Sequence, residues 1–165
     1  MCASAPMSDE PDLERALAEV HQAAFAWALS CCRWDRAEAE DVLQMSYLKV
    51  LDGSARFEGR ASFKTWLFAV VRRTARGRWR SWLALRARAL SAPPPAEASV
   101  PEASLDGPRV RAALGALSAR QREVLELVFF HDLSVEEAAG VMGVSAGAAR
   151  QHYARGKANL SRRLT

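Results

Sequence analysis

Near the C-terminus, Ser134 to Lys157 brings together residue types that can read base edges. Arginine pairs bidentately with guanine and glutamine with adenine, and Arg150 and Gln151 stand side by side here. The stretch has the layout of a helix-turn-helix: a short helix, a turn holding Gly143, and a second helix. Small Ala138 and Ala139 let two helices approach closely, Gly143 can take the positive φ of a sharp corner, and Val144 plugs the angle between them. In the second helix Ala149, Tyr153, Gly156 and Leu160 recur at helical spacing and are expected to face inward. Ala146, Gly147, Arg150, Gln151, Ala154 and Arg155 then face outward, with Ser145 and Lys157 at the flanks. The N-terminal half of such a helix enters a major groove, and the small residues Ala146, Gly147 and Ala154 permit close approach. A helical hairpin with a solvated basic face would carry the same pattern. Repressors and response regulators also use this motif, so by itself it speaks for DNA binding and not for a purpose.

A second constellation lies at 57–82, where Phe57, Phe63, Trp66, Phe68, Trp79 and Trp82 interleave with Arg60, Lys64, Arg72, Arg73, Arg76, Arg78 and Arg80. Basic side chains hold phosphates and release counterions. Aromatic pockets stack or capture unpaired bases. Phe63, Trp66 and Leu67 also suit a plain helix core. The arginines, however, have no acid near them in sequence.

Covalent or metal chemistry finds little support. Cys2, Cys31 and Cys32 are odd in number, two of them adjacent, which suits neither a disulfide framework nor metal geometry. They are expected to be reduced thiols in a cytoplasmic protein. His21, His131 and His152 read as helix-face residues. No catalytic residue, metal, cofactor or small-molecule substrate is expected. No apolar run suggests a membrane span, and no charged segment followed by an apolar core suggests a signal peptide.

The elements that must position these residues are helices. Half of the 165 residues are apolar, and Ala, Leu, Arg and Glu are common. Charge is unevenly spread: residues 1–60 hold six basic and eleven acidic side chains, whereas 61–90 hold eight basic and no acidic ones. Residues 108–165 hold nine basic and five acidic groups. The basic segments suit a polyanion, and the acidic first third must face something else. Residues 1–11 are expected to be a tail. The periodicity predicts helices over about 12–32, capped by Asp12, and from Asp35 to about Leu51. A third starts at Ser62, buries Phe63, Trp66, Leu67, Val70 and Val71, and runs through Arg80. Ser91 to Gly107 is rich in Pro, Ala, Ser and Glu without periodicity and reads as a linker. Further helices are expected from Pro108 to Leu117, from Ser118 (with no Glu or Gln placed at its box position), from Ser134 with a capping box to Glu137, and from Ser145.

Two stretches resemble sigma-70-family factors of the extracytoplasmic-function (ECF) group. One is Ala39-Glu40-Asp41-Val42-Leu43-Gln44 followed by Phe57-Glu58-Gly59-Arg60-Ala61-Ser62-Phe63-Lys64-Thr65-Trp66-Leu67. The other is Leu117-Ser118-Ala119-Arg120-Gln121-Arg122-Glu123-Val124-Leu125, followed by Leu133 to Ala139 and Val144 to Gly147. The resemblance implies an all-α protein of two small domains, sigma domain two over 12–90 and a helix-turn-helix sigma domain four over 108–165, joined by the linker 91–107. It implies that the first domain grips the clamp helices of RNA polymerase core through Asp41, Gln44, Tyr47 and Leu48. That domain would also recognise and melt the minus-ten promoter element with Phe57, Arg60, Ser62, Phe63, Lys64, Trp66, Arg72, Arg73, Arg76 and Arg80. The second would bind the polymerase flap and read the minus-thirty-five element with Ser145, Ala146, Gly147, Arg150, Gln151, Ala154, Arg155 and Lys157. An anti-sigma protein is a further implied partner. The chain departs from the family's usual residues at Met45, Arg73, Gly77, Ala149 and His152. A stand-alone helix-turn-helix regulator and a sigma-like adaptor without promoter reading remain alternatives.

Overall fold

The computed structural model describes residues 10–89 and 107–165. The expected tail up to Asp9 and the linker up to Asp106 lie outside the described residues. Those described form helices α1 (Glu10–Cys31), α2 (Arg36–Leu51), α3 (Phe63–Arg88), α4 (Gly107–Gly115), α5 (Ala119–Phe129), α6 (Val135–Met142) and α7 (Ala146–Leu164), and no strand. They fall into two compact units, α1–α3 and α4–α7.

In the first unit the three helices pack pairwise around one core. Its centre is Trp27, which is 1% exposed and lies parallel to the ring of Phe68 at 5.7 Å. The indole Nε1 donates to the Phe68 carbonyl at 3.0 Å, so the ring is buried with its polar atom satisfied. Ala24, Ala28, Val42, Leu43, Leu67, Val71 and Ala75 are buried in the same unit. Local chemistry sets the helix starts. The Asp35 carboxylate accepts from the Glu38 N–H, and the Ser62 hydroxyl from the Thr65 N–H. α1 begins at Glu10, ahead of the expected cap Asp12, which lies inside the first turn instead. Pro11 is tolerated there because first-turn N–H groups have no helical partner. Arg33 (φ 53°) and Trp34 (φ 66°) make the α1–α2 turn with consecutive left-handed residues. Hydrogen bonds from the Trp34 N–H to the Leu29 carbonyl (2.8 Å) and from the Asp35 N–H to the Cys32 carbonyl (3.0 Å) hold them.

In the second unit α7 packs on α4, α5 and α6. Ser134 and Glu137 form the full capping box that the spacing predicts, and Gly143 ends α6 at φ 65°, as the corner requires. Ser118 corrects the sequence reading. Gln121 does stand at its box position, and its N–H bonds the serine hydroxyl at 3.4 Å. The Gln121 side chain instead accepts from Asn159 of α7 at 3.1 Å, so half the box forms and the other half ties two helices together. His131 also departs from expectation: it sits in the turn after α5 and is buried, not on a helix face.

Two glycines separate propensity from packing. A Cβ at Gly77, inside α3, would meet nothing within 4 Å. One at Gly156 would stand 3.1 Å from Leu125 Cδ1 and 3.3 Å from Gln121 Cβ, because α7 crosses α5 there. Gly77→Ala is therefore expected to stabilise the fold by about 1 kcal/mol. Gly156→Val is expected to destabilise it by about 1–3 kcal/mol. Urea titrations of each variant check both signs.

Candidate nucleic-acid interface

α7 presents the face that its periodicity predicts. Ala149 and Gly156 are buried and Tyr153 and Leu160 half-buried, while Gly147, Arg150, Gln151, Ala154, Arg155 and Lys157 are exposed. Ala146 is half-buried. Ser145 is exposed, but its hydroxyl accepts from the Ala148 N–H at 3.1 Å, so it starts the helix. Arg150 is not free: its Nη2 and Nε donate to Glu136 Oε1 of α6 at 2.6 and 3.1 Å. This hydrogen bonding lowers the Glu136 carboxyl from its usual value. Both side chains remain more than half exposed, so the pair orients Arg150 more than it stabilises the fold. The guanidinium has five N–H donors, of which two are used, so its outer edge can still meet a base.

In the first unit the loop after α2 folds back on the start of α3. Phe57, Phe63 and Trp66 form a half-buried trio with centroids 5.4–5.5 Å apart. Gly59 turns the loop at φ 72°. Arg60 pairs with Glu58 at 3.0 Å in full exposure, and Lys64 lies over the Phe68 ring at 5.7 Å. The Ser62 hydroxyl both caps α3 and donates to Thr65 Oγ1 at 2.9 Å.

The arginines of α3 divide by face. Arg73, Arg76 and Arg80, spaced three and four apart, are exposed along one stripe. Arg72 is only 5% exposed, so of the four expected contacts it alone belongs to the interior. Arg78, with no acid near it in sequence, finds its partners through the fold: its guanidinium donates to both Glu38 oxygens at 2.6 and 3.0 Å, and Asp41 stands at 3.5 Å. The acids come from α2, about forty residues away in sequence.

On α2, Asp41, Gln44 and Leu48 share an exposed stripe. Leu51 extends it and is 48% exposed, beside Leu48 at 58%. Sequence reasoning missed Leu51, although its helical spacing from Leu48 was a signal that could have found it. Tyr47 is half-buried, and its hydroxyl meets His21 Nδ1 at 2.9 Å. Among the described residues no cluster of His, Cys, Asp or Glu could hold a metal ion, and no helix is long and apolar enough to cross a membrane.

A three-helix unit with an aromatic loop and an arginine stripe, together with a second unit whose last helix exposes a polar and basic row, defines a class. Residues 17–83 match the family model for sigma-70 region 2, and residues 108–160 that for sigma-70 region 4. The chain is 30% identical over 134 residues to the ECF RNA polymerase sigma factor SigX of Bacillus subtilis, covering 74% of this chain and 68% of that one. It is 29% identical over 141 residues to the ECF RNA polymerase sigma factor SigC of Mycobacterium tuberculosis, covering 79% and 72%. Among solved structures it is similar to the sigma factor RpoE in complex with the anti-sigma factor NepR from Bartonella quintana, with TM-score 0.70, 28% identity and coverage of 93% and 96%. It is also similar to CnrH in complex with the cytosolic domain of CnrY, with TM-score 0.65, 25% identity and coverage of 95% and 90%. The chain belongs to the ECF group of the sigma-70 family, whose domains bind RNA polymerase core and promoter DNA. It is an alternative sigma factor that directs the polymerase to promoters.

The adjacent thiols lie off these surfaces. Cys31 and Cys32 are half-buried, and neither is in a disulfide. Burial pushes the Cys32 thiol up to about 12, with Glu38 and Asp35 adding to the effect. It stays protonated at neutral pH, which disfavours nucleophilic or redox chemistry. Iodoacetamide at pH 8 is expected to modify Cys32 slowly in the native protein and rapidly after unfolding in urea, as followed by peptide mass mapping. Equal rates in both states would contradict the burial.

Proposed function

We propose that residues 12–90 and 108–165 divide the work of promoter recognition, with 91–107 as the tether. The observation that carries this is the pairing of two separate cation-bearing surfaces, the Arg73–Arg76–Arg80 stripe of α3 and the Arg150–Gln151–Ala154–Arg155 row of α7, on two separate units. The α3 stripe and the loop from Phe57 to Trp66 take the minus-ten element, with Phe57, Phe63 and Trp66 shaping the receptacle for an unpaired base. Arg60 and Lys64 lie at its rim. The α7 row takes the minus-thirty-five element through the major groove, with Ser145, Ala146, Gly147 and Lys157 setting its approach.

The exposed stripe Asp41–Gln44–Leu48–Leu51, with Tyr47 beside it, meets the clamp helices, and the second unit meets the flap. Each DNA contact is weak alone. Core polymerase sets their spacing and turns two weak contacts into one bivalent one. The protein performs no bond chemistry and acts in the cytoplasm, where transcription takes place. Two solved relatives are held by an anti-sigma protein or by the cytosolic domain of a partner, and a comparable inhibitor is proposed for this chain.

Run-off transcription with core polymerase on a genomic template pool is expected to yield new start sites only when the protein is added. Arg150→Ala is expected to lower discrimination between intact and mutated minus-thirty-five elements by about 1–3 kcal/mol. Equal transcription from both elements by the wild type would refute sequence reading there. Leu48→Glu combined with Leu51→Glu is expected to weaken core binding at least about tenfold, the equivalent of 1.4 kcal/mol. Titration against labelled core measures it.

A further inference from the structure

The core stripe of α3 does not stop where the bundle ends. Leu67, Val71 and Ala75 are buried, and the same stripe continues through Trp79, Trp82 and Arg86 at spacings of four, three and four. Past the bundle it meets the left-handed turn at Arg33. The Arg33 guanidinium lies over the Trp79 ring at 4.6 Å, Trp79 stacks on Trp82 at 4.8 Å and 20°, and the Arg86 guanidinium lies over Trp82 at 5.1 Å. Four side chains from two distant parts of the chain thus form a continuous ladder with a cation at each end. Trp79 remains 37% exposed, and Arg33 is exposed.

Among the described residues neither terminal arginine has a carboxylate partner, unlike Arg78 on the same helix as Arg86, which has two. No acid occurs between residues 61 and 90, and Arg80 and Arg88 lie exposed on the same length of helix. Stacking covers the face of a guanidinium and leaves its edge N–H groups outward, already oriented, in the fork that phosphate oxygens match. An ordering cost that a loose surface arginine would meet on binding is already met here.

We propose that Arg33 and Arg86, held by the Trp79–Trp82 pair, form a phosphodiester-binding ridge that extends the α3 contact onto the DNA backbone beyond the base-reading region. It rests on the promoter-binding role assigned above to the Arg73–Arg76–Arg80 stripe. The ligand is the sugar–phosphate backbone, so the ridge contributes affinity and placement, and sequence choice is left to the other surfaces.

The test uses polymerase holoenzyme reconstituted with the full chain on a promoter fragment recovered from the run-off pool, with affinity measured across a potassium chloride series. Arg33→Ala combined with Arg86→Ala is expected to weaken binding several-fold at physiological salt. The slope of log affinity against log salt is expected to flatten by up to about 2, close to 0.9 for each phosphate no longer neutralised. The preference for intact over mutated promoter elements should persist. Trp79→Ala should reproduce much of this weakening, and Trp79→Phe, which retains a ring under Arg33, should restore binding. Thermal melting of each variant separates loss of the ridge from loss of the fold. A well-folded double variant with the wild-type slope overturns the ridge, as does one that loses only the capture of an acidic protein partner. Failure of the wild-type holoenzyme to favour promoter over scrambled DNA would instead overturn the promoter-binding role itself.

Discussion

The contact between Trp27 and Phe68 sets the rotation of α3, and most of what the first unit does follows from that rotation. Successive residues on a helix are 100° apart, so once one stripe is buried every other direction is determined. Burial of Leu67, Phe68, Val71 and Ala75 turns Arg73, Arg76 and Arg80 outward and Arg72 inward. The same rotation lets Phe63 and Trp66 receive Phe57 from the preceding loop. A modest turn of α3 about its axis would exchange the roles of its arginines without changing the sequence.

The second unit depends on close approach. Gly156 allows α7 to cross α5 against Leu125, Ala149 is fully buried, and Gly143 bends the chain between α6 and α7. These small residues place the outward row of α7 where the sequence pattern expects it. The tight crossing also brings Gln121 to Asn159, while the α6–α7 corner brings Glu136 to Arg150. An arginine buttressed by a neighbouring carboxylate has fewer orientations to lose when it meets a base, which suits a contact that must select.

Electrostatics link the two faces of the first unit. Arg78 reaches across to Glu38 and Asp41 on α2, so part of the acidity of the front third is answered within the fold. The exposed stripe of α2 keeps Asp41 beside Gln44 and two exposed leucines, a surface more apolar than the charge count of the segment suggests.

Most local features were legible from sequence: the caps at Asp35, Ser62, Ser134 and Ser145, the helical periodicities, the corner at Gly143 and the outward row of α7, but not the start of α1 ahead of Asp12 or Gln121 at the Ser118 box position. Such features depend on partners three or four residues apart, whose meeting is dictated by helix geometry alone. The family resemblance rested on the same short-range patterns. Tertiary structure decided which arginines of 61–90 are surface and which are not, where His131 lies, that Gln121 serves α7 in place of its own cap, and that Arg33 joins a tryptophan pair more than forty residues downstream. These outcomes turn on helix rotation and crossing angle, and spacing within one helix carries no information about the side chain another helix will bring to it.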